Sequence, residues 1–245
     1  MSKVKLYQGD CLDLMKDIPD KSIDMILCDL PYGTTRNRWD TVIPFDELWK
    51  QYKRIIKDHG AICLFGQEPF SSIMRTSNLK MYRYDWIWHK TAPTRFLLAH
   101  KMPLSCYETI SVFYKHLPIY NPQMRTGFKP YAKTVAIGDF TNRDSNYGGY
   151  KNIGAKSSGN RYPVNIIKFK NSNHSHLLHP TQKPVALLEY LIKTYTNKSD
   201  LVLDNCMGSG STGIACVNIG RSFIGMELEP KYFEIAKERI NKANE

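Results

Sequence analysis

The sequence has no long apolar run, no paired cysteines and comparatively few acidic residues. Its 245 residues include 34 Lys and Arg against 23 Asp and Glu, so the formal net charge is +11. No apolar run approaches the roughly 18–20 residues that span a bilayer, and the N-terminus lacks the apolar core of a signal peptide. The six cysteines form no C-x-x-C pair, which indicates a reducing compartment and no structural zinc. We therefore expect a cytoplasmic protein with no membrane partner and no metal site.

The residues that are abundant indicate the fold class and the kind of partner. The basic surplus favours a polyanion, nucleic acid before acidic membrane, although basic proteins that bind neither exist. Predominantly apolar segments at 23–28 and 61–66 are typical of buried strands. Segments 45–57, with Gly60 as a natural C-cap, and 185–195 have helical spacing. This alternation predicts an α/β fold, with a doubly wound, mostly parallel sheet in a single domain over 1–245.

The strand predicted at 23–28 leads directly into Asp29, Leu30, Pro31 and Tyr32. The carboxyl edge of an open α/β sheet is where ligands bind. Pro31 stiffens the turn, Asp29 offers an acceptor that cannot donate when ionised, and Tyr32 offers a flat face. This combination suits a planar base that carries an amino group. The alternative is an ordinary turn at the end of a strand.

A second candidate site combines a strand, a small-residue turn and a helix around Gly208 and Gly210. Glycines let the backbone approach a ligand closely, and the helix N-terminus behind them favours negative charge. Glu227 ends the next predicted strand, where this topology places a carboxylate on ribose hydroxyls. The third glycine of a dinucleotide site is missing, and Asp204 favours a cationic cofactor. A nucleotide-type site is therefore predicted, with an NAD-binding oxidoreductase as the more remote alternative.

Regular structure fades between about 115 and 178, where Gly, Asn, Ser, Tyr, Lys and Arg dominate. Because loops of that length are uncommon unless functional, we interpret this segment as a DNA-recognition insertion. A flexible insertion without a partner is the alternative. The polar loop after Tyr32 offers arginines for phosphate and a tryptophan that either stacks on a base or packs the loop. The candidate DNA-binding residues are Arg36, Arg38, Trp39, Arg143, Lys151 and Arg161.

Four stretches resemble motifs of the β group of DNA amino-methyltransferases, which methylate adenine N6 or cytosine N4. Asp-Leu-Pro-Tyr at 29–32 is similar to their Asp-Pro-Pro-Tyr signature, with Leu30 replacing the first proline. Segment 204–212 resembles their S-adenosylmethionine loop, and His-Pro-Thr-Gln-Lys-Pro at 179–184 resembles the partner motif of that loop. Gly-Asp-Cys at 9–11 resembles the turn that reads the adenine of the cofactor. The circularly permuted order of these motifs implies a Rossmann-like, S-adenosylmethionine-dependent methyltransferase fold.

The resemblance also implies which residues hold S-adenosylmethionine. Thr181 and Lys183 are expected to bind its methionine carboxylate, and Asp10 is expected to accept a hydrogen bond from its adenine amino group. The full set of predicted cofactor-binding residues is Asp10, Cys11, Asp29, Thr181, Lys183, Asp204, Gly208, Ser209, Gly210 and Glu227.

The predicted reaction is site-specific methylation of adenine N6 in duplex DNA, by base flipping and direct transfer from S-adenosylmethionine. Asp29 and the carbonyl of Leu30 are expected to accept the two amino hydrogens, while Tyr32 stacks on the flipped base. Asp at position 29 favours adenine, because cytosine-N4 enzymes more often carry Ser there; cytosine N4 stays the alternative. Leu30 departs from the signature but keeps an extended backbone before Pro31. RNA as a rival substrate and an inactive DNA-binding module are further alternatives. A homodimer, a cognate restriction endonuclease and a bacterial or phage origin are left open.

Overall fold

Strands alternating with helices form the framework of the protein. The computed structural model describes residues 3–35, 37, 40–133, 155–171 and 182–245. The strands within these residues are β1 (Val4–Gln8), β2 (Ile23–Cys28), β3 (Ile56–Gly66), β4 (Tyr82–Thr94), β5 (Ser105–Phe113), β6 (Tyr131–Lys133), β7 (Ala155–Ser157), β8 (Ile166–Phe169), β9 (Leu201–Asp204) and β10 (Ser222–Glu227). The helices there are α1 (Cys11–Leu14), α2 (Phe45–Ile55), α3 (Phe70–Thr76), α4 (Val185–Tyr195), α5 (Ser211–Asn218) and α6 (Pro230–Asn244).

Eight of the described strands form one sheet in the order β1-β10-β9-β2-β3-β5-β4-β8. The five strands from β1 to β3 in this order are parallel to one another, β5 is antiparallel to both β3 and β4, and β8 is parallel to β4. The prediction of a mostly parallel, doubly wound sheet is confirmed. The central strands β2 and β3 come before β9 and β10 in the chain. The strand that leads into Asp29 therefore precedes the strand that leads into the 204–212 turn, as in the circularly permuted order of the motifs.

Helices cover both faces of the sheet, which explains why the central strands are apolar throughout. Met25 and Leu27 of β2 pack on the face covered by α4, α5 and α6. Ile26 and Cys28, which alternate with them, pack on the face covered by α1, α2 and α3. These two cores hold β2 rigidly at the centre of the sheet, and the turn that follows it therefore starts from a fixed position.

The helix predicted over 45–57 ends two residues earlier than expected. Ile56 closes α2 by donating its backbone N–H to Tyr52 and then pairs with Ile23 as the first residue of β3. Gly60 lies within β3 rather than at a helix C-cap. A Cβ at Gly60 would lie 2.8 Å from the carbonyl oxygen of Asp24. The glycine therefore permits a close approach of two strands, which sequence spacing alone does not distinguish from a helix stop.

The described chain divides into two compact units, one formed by Met1–Asn121 with Asn165–Glu245 and one by Pro122–Val164. The smaller unit falls within the irregular segment predicted at about 115–178 and contains the antiparallel pair β6–β7. Strand β8 also falls within that segment but belongs to the large sheet, where it pairs with β4. Sequence reasoning missed β8 because it is only four residues long and lies between irregular stretches.

None of the described helices combines the length and apolar character needed to cross a membrane. No group of three or more His, Cys, Asp or Glu residues in the described part of the chain is arranged to hold a metal ion.

Candidate active site

A cavity of about 380 Å³ opens at the carboxyl edge of the parallel strands. It lies where β2 and β9 are neighbours and their connections run to opposite sides, which is the usual ligand position in such sheets. Most of the predicted catalytic and cofactor-binding residues line it. These are Asp10, Cys11, Asp29, Leu30, Pro31, Tyr32, Lys183, Asp204, Gly208, Ser209 and Glu227.

Asp29 follows β2 directly, and both of its carboxylate oxygens accept hydrogen bonds. Lys183 Nζ donates to Oδ2 at 2.6 Å, and the Tyr32 hydroxyl donates to Oδ1 at 2.6 Å. The Tyr32 ring packs on Phe70, with ring centroids 4.8 Å apart. Burial raises the pKa of Asp29 above its ordinary value, and the ammonium of Lys183 opposes that rise. The site therefore contains an ionisable acceptor at the cavity wall with a buried cation behind it.

Lys183 lies between two carboxylates and its side chain is only 10% exposed. Its Nζ is 2.6 Å from Asp29 Oδ2 and 3.2 Å from Glu108 Oε2. Burial disfavours its charge, but these two carboxylates raise the pKa of Lys183 above its ordinary value. In this structure its ammonium pairs with Asp29 and Glu108, so its predicted contact with a methionine carboxylate stays a prediction. Thr181, its predicted partner, lies outside the described residues.

Asp204 ends β9 and holds the following turn. Its Oδ2 accepts from the Thr212 hydroxyl at 2.6 Å, and its Oδ1 accepts from the backbone N–H of Cys206 at 3.1 Å. The carboxyl is 4% exposed. Burial raises the pKa of Asp204 to about 7, against the opposing effect of the Thr212 hydrogen bond. A cation bound in the cavity would shift this group toward its ionised form.

Glu227 ends β10 and fixes the turn that contains Gly208. Its Oε2 accepts from the Gly208 N–H at 2.8 Å, and its Oε1 accepts from the Glu229 N–H at 2.9 Å. Burial raises the pKa of Glu227. Gly210 lies behind the turn with φ +79°, and a Cβ there would lie 2.9 Å from the Cβ of Ala236. Gly210 therefore allows α5 and α6 to pack together, whereas Gly208 faces the cavity.

The 33–44 loop is held by Asp40, which sequence reasoning missed. Its carboxylate accepts the backbone N–H groups of Gly33, Thr34 and Thr35 at 2.7–2.9 Å. Burial opposes its ionisation, but these hydrogen bonds together with that of the Thr35 hydroxyl lower the pKa of Asp40. An aspartate a few residues after a turn is a weak signal in sequence, because any loop can contain one.

The predicted DNA-binding residues are mostly outside the part of the chain that the structure describes. Arg36, Arg38, Trp39, Arg143 and Lys151 all fall there. Arg161 is described and belongs to the smaller unit. Its backbone forms a two-way bridge with Arg125, and its guanidinium lies 4.5 Å from the ring centroid of Tyr131. DNA contact by all six residues stays a prediction.

Sequence reasoning also missed Lys90 and Glu108, which are buried and belong to the charge cluster behind Asp29. A signal for them exists. Lys90 is two residues after the buried Trp88, and Glu108 is two residues before the buried Ile110, so each lies on the buried face of its strand. Charged residues on the core-facing phase of two strands are rare, and they can be found from sequence once the strand phases are known.

Comparisons with known proteins agree with this geometry. A family model described as DNA methylase matches residues 23–238. The type II methyltransferase M.HpaI of Haemophilus parainfluenzae is 28% identical over 250 residues, which cover 97% of this chain and 74% of the relative. The crystal structure of the M1.HpyAVI–SAM complex has a TM-score of 0.66 and 26% identity, and covers 97% of this chain and 99% of that one.

A further solved structure shows the fold alone. The cytosine-N4-specific PvuII DNA methyltransferase has a TM-score of 0.67 at 16% identity, and covers 100% of this chain and 92% of that one. The methyltransferase fold that the motifs implied is therefore confirmed. Since the DNA methylase model matches most of the sequence, the chain belongs to the N6/N4 DNA methylase family.

Proposed function

We propose that this protein transfers the methyl group of S-adenosylmethionine to adenine N6 in duplex DNA. The observation that carries the proposal is the position of Asp29. Its carboxylate lies at the wall of the same cavity that the 204–212 turn lines, and a buried ammonium supports it. A target amino group at Asp29 would thus meet an acceptor whose negative charge is held in place before the substrate arrives.

The charges around the cavity fit a cationic cofactor. Among the described lining residues are five carboxyl groups and one ammonium, that of Lys183. A sulfonium cation relieves the repulsion among these carboxylates, whereas the pyrophosphate of a dinucleotide increases it. When bound, S-adenosylmethionine supplies an already activated methyl group. Asp10, Asp204 and Glu227 are the residues that we expect to hold it, and the NAD-binding alternative is disfavoured.

The hydrogen bonds of Asp29 define how an amino group enters. The Asp29 oxygen Oδ2 accepts a hydrogen bond from Lys183, which is buried. The other oxygen, Oδ1, accepts from the hydroxyl of Tyr32, a half-buried side chain at the cavity. The incoming amino group therefore takes the place of the Tyr32 hydroxyl at Oδ1, and the ring of Tyr32 is then free to turn onto the base. By accepting an amino hydrogen, Asp29 would make the nitrogen lone pair available for methylation without removing a proton first, and it would take up the proton that the nitrogen releases once the N–C bond has formed.

Labelled S-adenosylmethionine and unmethylated duplex DNA, followed by nucleoside analysis, test this proposal. N6-methyladenine from the wild-type protein supports it, and N4-methylcytosine as the labelled product selects the alternative base instead. Transfer by Asp29→Asn at the wild-type rate would contradict the role of Asp29. The exposed Asp46→Asn on α2 is a matched control and is expected to keep full activity.

Finer features of the partners also stay proposals. We infer that the protein acts at a specific duplex sequence, because M.HpaI is a type II methyltransferase. Mapping of methylated positions identifies that sequence. A homodimer is tested by the mass of the protein in solution, and a cognate restriction endonuclease by protection of methylated DNA from cleavage. A cytoplasmic location is tested by fractionation of bacterial cells. Whether a cell or a phage carries the gene is a separate proposal, tested by the genes that flank it.

A further inference from the structure

A buried chain of charges lies behind the candidate active site and includes residues outside all the recognised motifs. Glu108 on β5 and Lys90 on β4 are each 6% exposed, and Lys90 Nζ lies 2.5 Å from Glu108 Oε1. The other oxygen of Glu108 lies 3.2 Å from Lys183 Nζ, which contacts Asp29 Oδ2 at 2.6 Å. Charges of alternating sign therefore run from Lys90 through Glu108 and Lys183 to Asp29.

The register of two strands places this pair. Trp88 lies opposite Glu108 in the antiparallel pairing of β4 with β5, and Lys90 is the next residue along the same face. These positions face the core, where desolvation offsets most of the attraction between two charges. Apolar side chains of similar volume at these positions would stabilise the fold at least as much as the ion pair does. The pair therefore points to a role other than stability.

Glu108 is held from a third side by Gln67, the residue after β3. Gln67 Nε2 donates to Glu108 Oε1 at 3.0 Å, and Gln67 Oε1 accepts from Arg95 at 3.1 Å. Oε1 thus receives donors from Lys90 and Gln67, which leaves Oε2 directed at Lys183. The carboxylate cannot rotate away from Lys183 without losing both of these hydrogen bonds.

We propose that Glu108, anchored by Lys90, is a positioning residue that holds Lys183 on one oxygen of Asp29 and so reserves the other oxygen for the target amino group. This inference rests on the proposed function, since it concerns the same acceptor. Glu108 touches neither the amino group nor the methyl donor. It acts through Lys183, because the ammonium is shared between two carboxylates and binds neither of them exclusively.

The charges around Asp29 determine how two variants differ. The titratable groups that face it are Lys183, Glu108, Tyr32, Cys28 and Asp204. In Glu108→Gln the negative charge near Asp29 is lost and Lys183 turns fully to Asp29, so the pKa of Asp29 falls. In Lys90→Met the carboxylate of Glu108 loses its nearest cation and draws Lys183 away, so the pKa of Asp29 rises.

The test is the pH profile of kcat/KM for methyl transfer by the wild type and both variants. We expect kcat to fall roughly 10- to 100-fold in each. The acidic limb is expected to move to lower pH in Glu108→Gln and to higher pH in Lys90→Met. In the double variant no carboxylate remains at position 108 to draw Lys183 away, so its acidic limb is expected to match that of Glu108→Gln rather than the sum of the two shifts. The dissociation constant of S-adenosylmethionine, measured by calorimetry, is expected to stay within about twofold of wild type, as in a positioning role.

The controls separate this inference from the proposed function and from misfolding. Glu234→Gln removes an exposed carboxylate that pairs with Lys237 and is expected to leave the profile unchanged. If the wild type transfers no methyl group, the proposed function fails. If the wild type is active but both single variants keep its acidic limb, or move it in the same direction, the positioning role is wrong. Should Glu108→Gln not fold, the double variant takes its place, and the proposal requires its acidic limb to lie below that of Lys90→Met. Should Lys90→Met not fold, the acidic limbs of Glu108→Gln and the double variant must coincide below that of the wild type.

Discussion

The cavity and the chain as a whole carry opposite charge. Five of the 23 acidic residues line the cavity, but only one of the 34 Lys and Arg residues does so among the described residues. The chain as a whole has a net charge of +11. A basic exterior favours a polyanion such as DNA, and an acidic interior favours a small cation. The difference shows that a basic chain can still bind a small cation, because a few acidic residues are concentrated at one cavity.

The largest effect should come from the acceptor in the cavity. Asp29→Asn keeps the volume of the side chain but replaces a charged oxygen with an amide that donates hydrogen bonds. We expect kcat for methyl transfer to fall by about 10⁴-fold, while binding of S-adenosylmethionine changes little. Single-turnover transfer and calorimetry on the same protein measure the two quantities. A loss of cofactor binding in parallel with activity would make Asp29 part of the cofactor site instead.

The second effect concerns stability without ligand, and it follows from the burial of Asp204. Its folded pKa of about 7 lies above its ordinary 3.8, so the folded chain binds a proton that the unfolded chain releases. The contribution of Asp204 to the free energy of unfolding is fully present below pH 3.8, the ordinary pKa. It is lost as the pH rises to about 7, by up to about 4 kcal/mol. Urea unfolding from pH 4 to 8 measures this slope. It should flatten in Asp204→Asn and persist in the exposed Asp17→Asn.

A third, smaller effect is the pH dependence of S-adenosylmethionine binding, which brings a sulfonium cation into the acidic cavity. S-adenosylmethionine favours the ionised form of Asp204, so its affinity should increase as pH rises through about 7. We expect Asp204→Asn to bind it about tenfold more weakly at pH 8 and to lose most of this pH dependence. Calorimetry across this range gives both values. Unchanged affinity in the variant would remove Asp204 from the cofactor site.

The smallest effect tests the exterior. If Arg36 and Arg38 contact phosphates, replacing both with Gln should reduce the slope of log affinity against log salt by about 2. Fluorescence anisotropy with a labelled duplex measures this slope. Lys231→Gln with Lys242→Gln on α6 makes the same change in net charge and should leave the slope near wild type. Equal slopes in wild type and the arginine variant would contradict phosphate contact by this loop.

Sequence reasoning found the features that depend on neighbours along the chain. The strand before Asp29, the turn around Gly208 and the helix after it follow from apolar period and turn residues within short windows. The family resemblance then added the order of the motifs. These signals suffice for the fold and for most of the cavity wall.

Contacts between distant segments were not accessible in the same way. Lys183 reaches Asp29 across 154 positions, and Lys90 meets Glu108 only because of the register of β4 and β5. Register depends on how two strands pack against the helices, and an error of one residue moves every side chain to the other face. Strand phase can identify these residues as buried charges, but which of them meet behind the acceptor required the structure.

The most direct test of the charge separation is a pair of affinities measured on the wild-type protein. Calorimetry should show binding of S-adenosylmethionine to the acidic cavity and much weaker binding of NAD, whose pyrophosphate meets carboxylates there. Duplex DNA affinity should fall steeply with salt, as expected for a basic exterior. Preference for NAD over S-adenosylmethionine would contradict the account, because the acidic cavity would then not select a cationic ligand.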